Sequence, residues 1–200
     1  MSMPYLEEGR IQQKRRTRDA LIAAARDLVA RGETPTVEVA AEASGISRTT
    51  AYRYFPNQTA LLAAAHPETQ TVSLIGDAPP RDLDARVAIV LDAFIAMVES
   101  SEPQQRSMLR LSLDERSSSE LPLRQGRAIR WFEEALTPLE GKWSDAEITA
   151  LAKALRAATG IEARVWLTDI GGLSSEEASE MLRWIGLGLL RGARATRPPA

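Results

Sequence analysis

The chain has no cysteine, a single histidine, and only ten aromatic residues, Trp 4, Tyr 3 and Phe 3, in 200. Without cysteine there is no disulfide, no thiolate metal site and no thiol nucleophile. His66 alone leaves no second imidazole for a histidine metal centre or a proton relay, and its place beside Pro67 reads as a loop. Long apolar runs are also missing. Trp184 to Leu190 carries no charge but spans only seven residues, against the roughly 20 that a bilayer requires. Met1 to Glu8 has no apolar stretch of the kind a signal peptide needs. The expectation is a cytoplasmic protein without a membrane partner.

Catalytic patterns are equally scarce. No run of β-branched residues alternates at period two, and no glycine-rich loop follows a strand. Glu133 and Glu134 are sequence neighbours, which point different ways on a helix and make poor acid–base partners. No enzymatic activity, cofactor or metal is expected.

What is present is an ordinary globular composition, 44% hydrophobic and 26% charged, in a length that suits one large domain or a small one plus a medium one. The net charge of −2 is unevenly spread. Residues 1–60 hold nine Lys/Arg against seven Asp/Glu, and the remainder holds 16 against 20, so the front carries +2 and the body −4. A basic front on an acidic body suits a polyanion that meets the front alone.

Apolar spacing indicates helix throughout. Leu21, Ile22, Ala25, Leu28 and Val29 form the stripe of an amphipathic helix running from about residue 11 to Arg31, with Gly32 as its stop. Pro35-Thr36 opens a short helix through Ala43, and Ser47 caps another that reaches Phe55 before Pro56. Asn57 caps a fourth, Thr59 to Ala65. Residues 66–80, with Pro67, Gly76, Pro79 and Pro80, read as a linker. Val87, Val90, Leu91, Phe94 and Val98 lie on one face of a helix of about five turns, Met108 to Leu113 marks a shorter one, and Ser117 to Ser119 a mobile loop. Ile129 to Leu139 marks a helix entered near Leu121-Pro122. Ile148 to Ile170 is one long helix or two joined near Gly160. Gly171-Gly172 ends it, Ser175 caps a last helix, and the Arg197 to Ala200 tail reads as disordered. The expected fold is all-α with about nine helices, divided into residues 1–65 and 66–200.

Two short helices joined at a glycine turn, behind a longer helix, describe a helix-turn-helix. Gly45 supplies a positive φ and Ile46 plugs the space between the helices. Ala51 and Phe55, four residues apart, turn inward. Arg48, Thr49, Tyr52 and Arg53 then share the outer stripe, with Thr50 at its margin. Arginine grips guanine bidentately, threonine offers a hydroxyl and a methyl, and tyrosine reaches bases or phosphates. Arg10, Lys14, Arg15, Arg16 and Arg18 add positive charge ahead of the motif.

The stretch Thr36, then Ala41-Glu42-Ala43-Ser44-Gly45-Ile46-Ser47, then Thr50-Ala51-Tyr52-Arg53-Tyr54-Phe55 and Leu61 resembles the signature of the tetracycline-repressor (TetR) family. The match covers residues 11–65. Beyond it only the layout is similar, chiefly around Trp166 to Ser174 and Met181 to Trp184. The resemblance implies a three-helix DNA-binding domain followed by a helical ligand-binding and dimerisation domain. Lys14, Arg15, Arg16, Thr36, Ser47, Arg48, Thr49, Thr50, Tyr52, Arg53, Tyr54, Asn57 and Gln58 would then meet double-stranded DNA. Gln58 stands where the family has lysine, and Ala40 and Ala51 replace bulkier aliphatics.

The same resemblance implies a homodimeric repressor of a palindromic operator, released by a small effector. Phe94, Met97, Met108, Leu109, Leu113, Trp131 and Phe132 are candidate pocket walls, although aromatic residues at helical spacing more often build a core. Their character suits a hydrophobic effector, while Arg106, Arg110, Arg124, Arg127 and Arg130 would suit an anion or water. Ile148, Leu151, Leu155, Trp166, Met181, Ile185 and Leu189 are candidate interface residues. Gly186, Gly188 and Gly192 suggest close helix crossing there. Two other classes compete: an enzyme on a helical scaffold, and a protein-binding module whose front no longer binds DNA. Only Gln58 favours the last.

Overall fold

The computed structural model describes residues 4–65, 71–113 and 126–199. His66 and the stretch from Ser117 to Arg124 lie outside them. Among the described residues the chain is all-helical, with no strand. The described residues form ten α-helices, or nine when the two segments meeting at Gly160 are counted as one broken helix.

Helix α1 spans Pro4–Ala30, starting a good deal earlier than its apolar stripe predicts, because the stripe marks only the half that packs. It ends as expected at Gly32, at φ +84°. The Gly32 amide donates to the Val29 carbonyl (2.8 Å) and the Glu33 amide to that of Leu28 (3.1 Å), closing a Schellman turn. Thr36 caps α2 (Val37–Ala43), its hydroxyl accepting from the Val39 amide. Gly45, at φ +68°, ends α2 by the same pair of bonds, here to the carbonyls of Glu42 and Ala41. Ser47 caps α3 (Arg48–Tyr54) and Asn57 caps α4 (Gln58–Ala65). Pro56 confines Phe55 to the extended region, which stops α3.

These four helices share one core: Leu21, Ile22, Ala25 and Leu28 of α1 meet Val37, Ala40 and Ala41, then Ala51, Phe55 and Leu61. Ala40 and Ala51 are fully buried, so their small side chains are what let α2 and α3 approach. A separate, larger core holds α5 (Leu83–Ser100), α7 (Arg127–Leu136), α8 (Asp145–Thr159) and α10 (Ser175–Ala195). Between the two lies α6 (Glu102–Ser112), whose Met108 is buried against Val29, Leu62 and Ala63.

The break at Gly160 separates α8 from α9 (Ile161–Val165), which continues as a π-helical turn over Trp166–Ile170. Ser174, one residue before the predicted cap, starts α10 in a capping box with Glu177. Gly186 does mark a close crossing, but within one chain: a Cβ there would fall 2.7–2.8 Å from the Leu91 methyls of α5. Gly188 and Gly192 face open space. The Arg197 guanidinium stacks 3.9 Å over the Trp143 ring, so the tail is anchored at that point, contrary to expectation.

Candidate nucleic-acid interface

Helix α3 is locked on one side and open on the other. Ala51 is fully buried and Phe55 nearly so, and the guanidinium of Arg18 covers the Phe55 ring at 5.6 Å. Arg48, Thr49, Tyr52 and Arg53 are exposed on the far side. Thr50 is withdrawn into the cap, its hydroxyl accepting a 2.8 Å bond from Ser47. Tyr54 packs on the small core, so it faces away from Arg48. Thr36, Ser47 and Asn57 are exposed caps at three successive helix starts. Lys14, Arg15 and Arg16 are exposed on the helical first half of α1.

Gln58 is turned toward the loop before α2. Its amide donates to the carbonyls of Thr34 and Pro35, both at 3.0 Å. Gln58 is thus a strut between α4 and the α1–α2 connection.

Sequence reasoning missed Glu38, in the first turn of α2. Its Oε1 accepts from Arg48 Nη2 at 2.6 Å and from the Tyr52 hydroxyl at 2.5 Å. The Tyr52 hydroxyl, then the backbone amide and the Thr36 hydroxyl, hold the Glu38 carboxyl down to about 2, with the Arg48 charge adding to them. The same contact pushes the Tyr52 phenol up. No spacing rule pairs positions 38, 48 and 52, because the contact exists only once α2 and α3 are docked.

The remaining candidates fall into separate regions. Phe94, Trp131 and Phe132 are buried and in mutual contact, with ring centroids 6.3 Å (Phe94–Trp131) and 5.4 Å (Phe94–Phe132) apart. Met97 and Leu109 pack at the edge of that core, Met108 lies in the cluster under α1 and α4, and Leu113 is 74% exposed. The seven thus lie in three different environments: the large core and its edge, the cluster under α1 and α4, and the surface. Ile148, Leu151 and Leu155 are buried in their own chain's core, while Ile185 and Leu189 are half-buried. Trp166, Ile170, Met181 and Trp184 are exposed, and Leu173, Met181 and Trp184 line a shallow groove of about 450 Å³ rimmed by Glu177 and Glu180.

The arginines divide as well. Arg106 is engaged by Asp169 (2.6 and 2.8 Å) and Glu102 (2.7 Å). Arg110 donates to the Thr34 hydroxyl at 3.0 Å across a groove of about 570 Å³ between α6 and the α1–α2 loop. Arg130 is exposed and Arg127 half-exposed. Arg164, which no sequence signal marked, is 1% exposed and bonds Glu102 (2.6 Å), Ser179 (2.9 Å) and Ser175 (2.5 Å).

Among the described residues no group of acidic, histidine or cysteine side chains is arranged to hold a metal, and no helix is long and apolar enough to cross a membrane. No family model matches the chain, and no curated protein matches it.

Proposed function

We propose that this chain is a TetR-like, non-catalytic transcriptional regulator that binds double-stranded DNA through α3. The observation that carries the reading is the two-sidedness of α3: Ala51 and Phe55 are locked inward while Arg48, Thr49, Tyr52 and Arg53 face solvent. A short helix with a rigid back and a face of guanidinium, hydroxyl and phenol groups suits the major groove. The exposed cations of α1 supply sequence-independent attraction to phosphate.

The regulator acts as a homodimer, joined through the face formed by Trp166, Ile170, Met181 and Trp184. Single exposed apolar residues are common, but two tryptophans and two aliphatics exposed on adjoining elements make a patch suited to a second copy. Two recognition helices then sit one turn of B-DNA apart, about 34–36 Å or a multiple, on a near-palindrome. A hydrophobic effector entering among α5, α6 and α7 meets the contacting rings of Phe94, Trp131 and Phe132. Its binding therefore selects a state in which these helices have moved, and with them the DNA heads. Repression relieved by such a ligand is the corresponding regulatory mode.

Selection of bound fragments from random duplex DNA by the purified full chain tests the reading. Recovery of a near-palindrome supports it, and no enrichment at modest ionic strength removes it.

A further inference from the structure

The geometry points to Glu38 as a positioning residue that decides which base Tyr52 selects, an inference that rests on the DNA-reading role of α3. By accepting the hydrogen bond from the phenol, Glu38 leaves the Tyr52 oxygen to act outward as an acceptor, so Tyr52 favours a base bearing an exocyclic amino group, adenine or cytosine.

Arg48 and Tyr52 lie four residues apart on α3, so their side chains share one face and both reach Oε1 of Glu38, at 2.6 and 2.5 Å. A carboxylate only accepts hydrogen bonds, and a phenol has one proton to give. With that proton committed to Glu38, the remaining lone pairs of the Tyr52 oxygen can only accept. The Glu38 carboxyl, held down at about 2, remains ionised at neutral pH, so this polarity is constant. In the major groove the donors are adenine N6 and cytosine N4, whereas thymine O4 and guanine O6 and N7 only accept. Phosphate oxygens only accept too, so the tethered Tyr52 is turned away from the backbone and toward a base edge.

Arg48 is affected differently. A guanidinium carries five N–H donors, and the Glu38 contact is made through Nη2. Enough donors stay free to grip guanine O6 and N7 in the usual way. Glu38 thus leaves the arginine competent while fixing the sense of the tyrosine. It does so from α2, without itself touching DNA.

The test is the base preference recovered from random duplex DNA by the full chain and by Glu38→Ala, Glu38→Asp and Tyr52→Phe. The unsubstituted chain should enrich adenine or cytosine at one position of each half-site. Tyr52→Phe removes the acceptor, and Glu38→Ala frees the hydroxyl to donate or accept. Each should cut the enrichment at that position about fivefold, more than at any other position of the half-site. Glu38→Asp, which keeps the charge but withdraws it from Tyr52, should act alike and serves if the alanine variant fails to fold. An unchanged profile in a folded Glu38 variant or in Tyr52→Phe, or a preference for guanine or thymine there, overturns the role of Glu38 while DNA binding stands. Recovery of no duplex by the unsubstituted chain ends both this inference and the functional reading beneath it.

Discussion

Arg48 has two neighbours that shape its behaviour, Glu38 at 2.6 Å and the Tyr52 ring at 5.9 Å. The arginine is 71% exposed and its ion pair lies at the surface, adding little to folding, so the arginine can be removed without disturbing the helix. Arg48→Ala should weaken operator binding by roughly 1–3 kcal/mol and relax one base position. A gel-shift titration against single-base operator variants measures both, and unchanged affinity takes Arg48 out of base reading. The outward stripe was legible in the sequence because i, i+4 spacing makes Ala51 and Phe55 one face and leaves the rest to solvent. Glu38 was not, since its part depends on a contact across two helices. Nor was the inward turn of Gln58, because only the docked loop brings the carbonyls of Thr34 and Pro35 within reach.

Among the elements, α6 holds the central place. One side buries Met108 against α1 and α4, and the other is tied to α9 and α10 through Glu102, Arg106 and Arg164. Arg164 lies within the fold while Glu102 keeps some water and a second partner in Arg106. Arg164→Ala should therefore cost about 3 kcal/mol, the low end for breaking a buried pair, read as a shift in the urea midpoint. Acid should loosen the same region. The Arg106 contact, with help from Thr168, holds the Asp169 carboxyl down to about 2, below its ordinary 3.8. A depressed carboxylate contributes stability that is complete above its unfolded value and is lost as pH falls through the folded one. Thermal midpoints should hold steady above pH 5 and decline from about pH 4 toward 2. Asp169→Asn should flatten part of that decline, and an identical profile would show that the Arg106 contact adds nothing. Most element limits were legible because caps and breakers are local: Gly32, Thr36, Gly45, Ser47 and Asn57 all act within one turn. Gly186 was misread because a glycine marks a close approach without saying which helix approaches, and here Leu91 of the same chain fills the space.

The whole molecule joins a basic front, +2 over residues 1–60, to a body with an exposed apolar face. Trp184 is 70% exposed and takes no part in the core. If the exposed face is the proposed interface, Trp184→Glu should leave the fold intact and give monomers by sedimentation where the unsubstituted chain gives dimers, whereas a dimeric variant would place the interface elsewhere. Ile148, Leu151 and Leu155 were misleading at this scale, because periodicity identifies an apolar face but not whether its neighbour belongs to the same chain. A hundredfold response to an effector would need a coupling of only about 2.7 kcal/mol between body and head, comparable to the loss expected from Arg164 alone. The absence of cysteine offers the most direct test of the central claim, that the open face of α3 enters duplex DNA. Thr49→Cys places a unique thiol on that face, and Lys153→Cys places one on the exposed side of α8. With a photo-crosslinker on each thiol and the duplex recovered by random selection, position 49 should crosslink efficiently and position 153 should not. No crosslink from position 49, or equal crosslinking from both, would contradict the account.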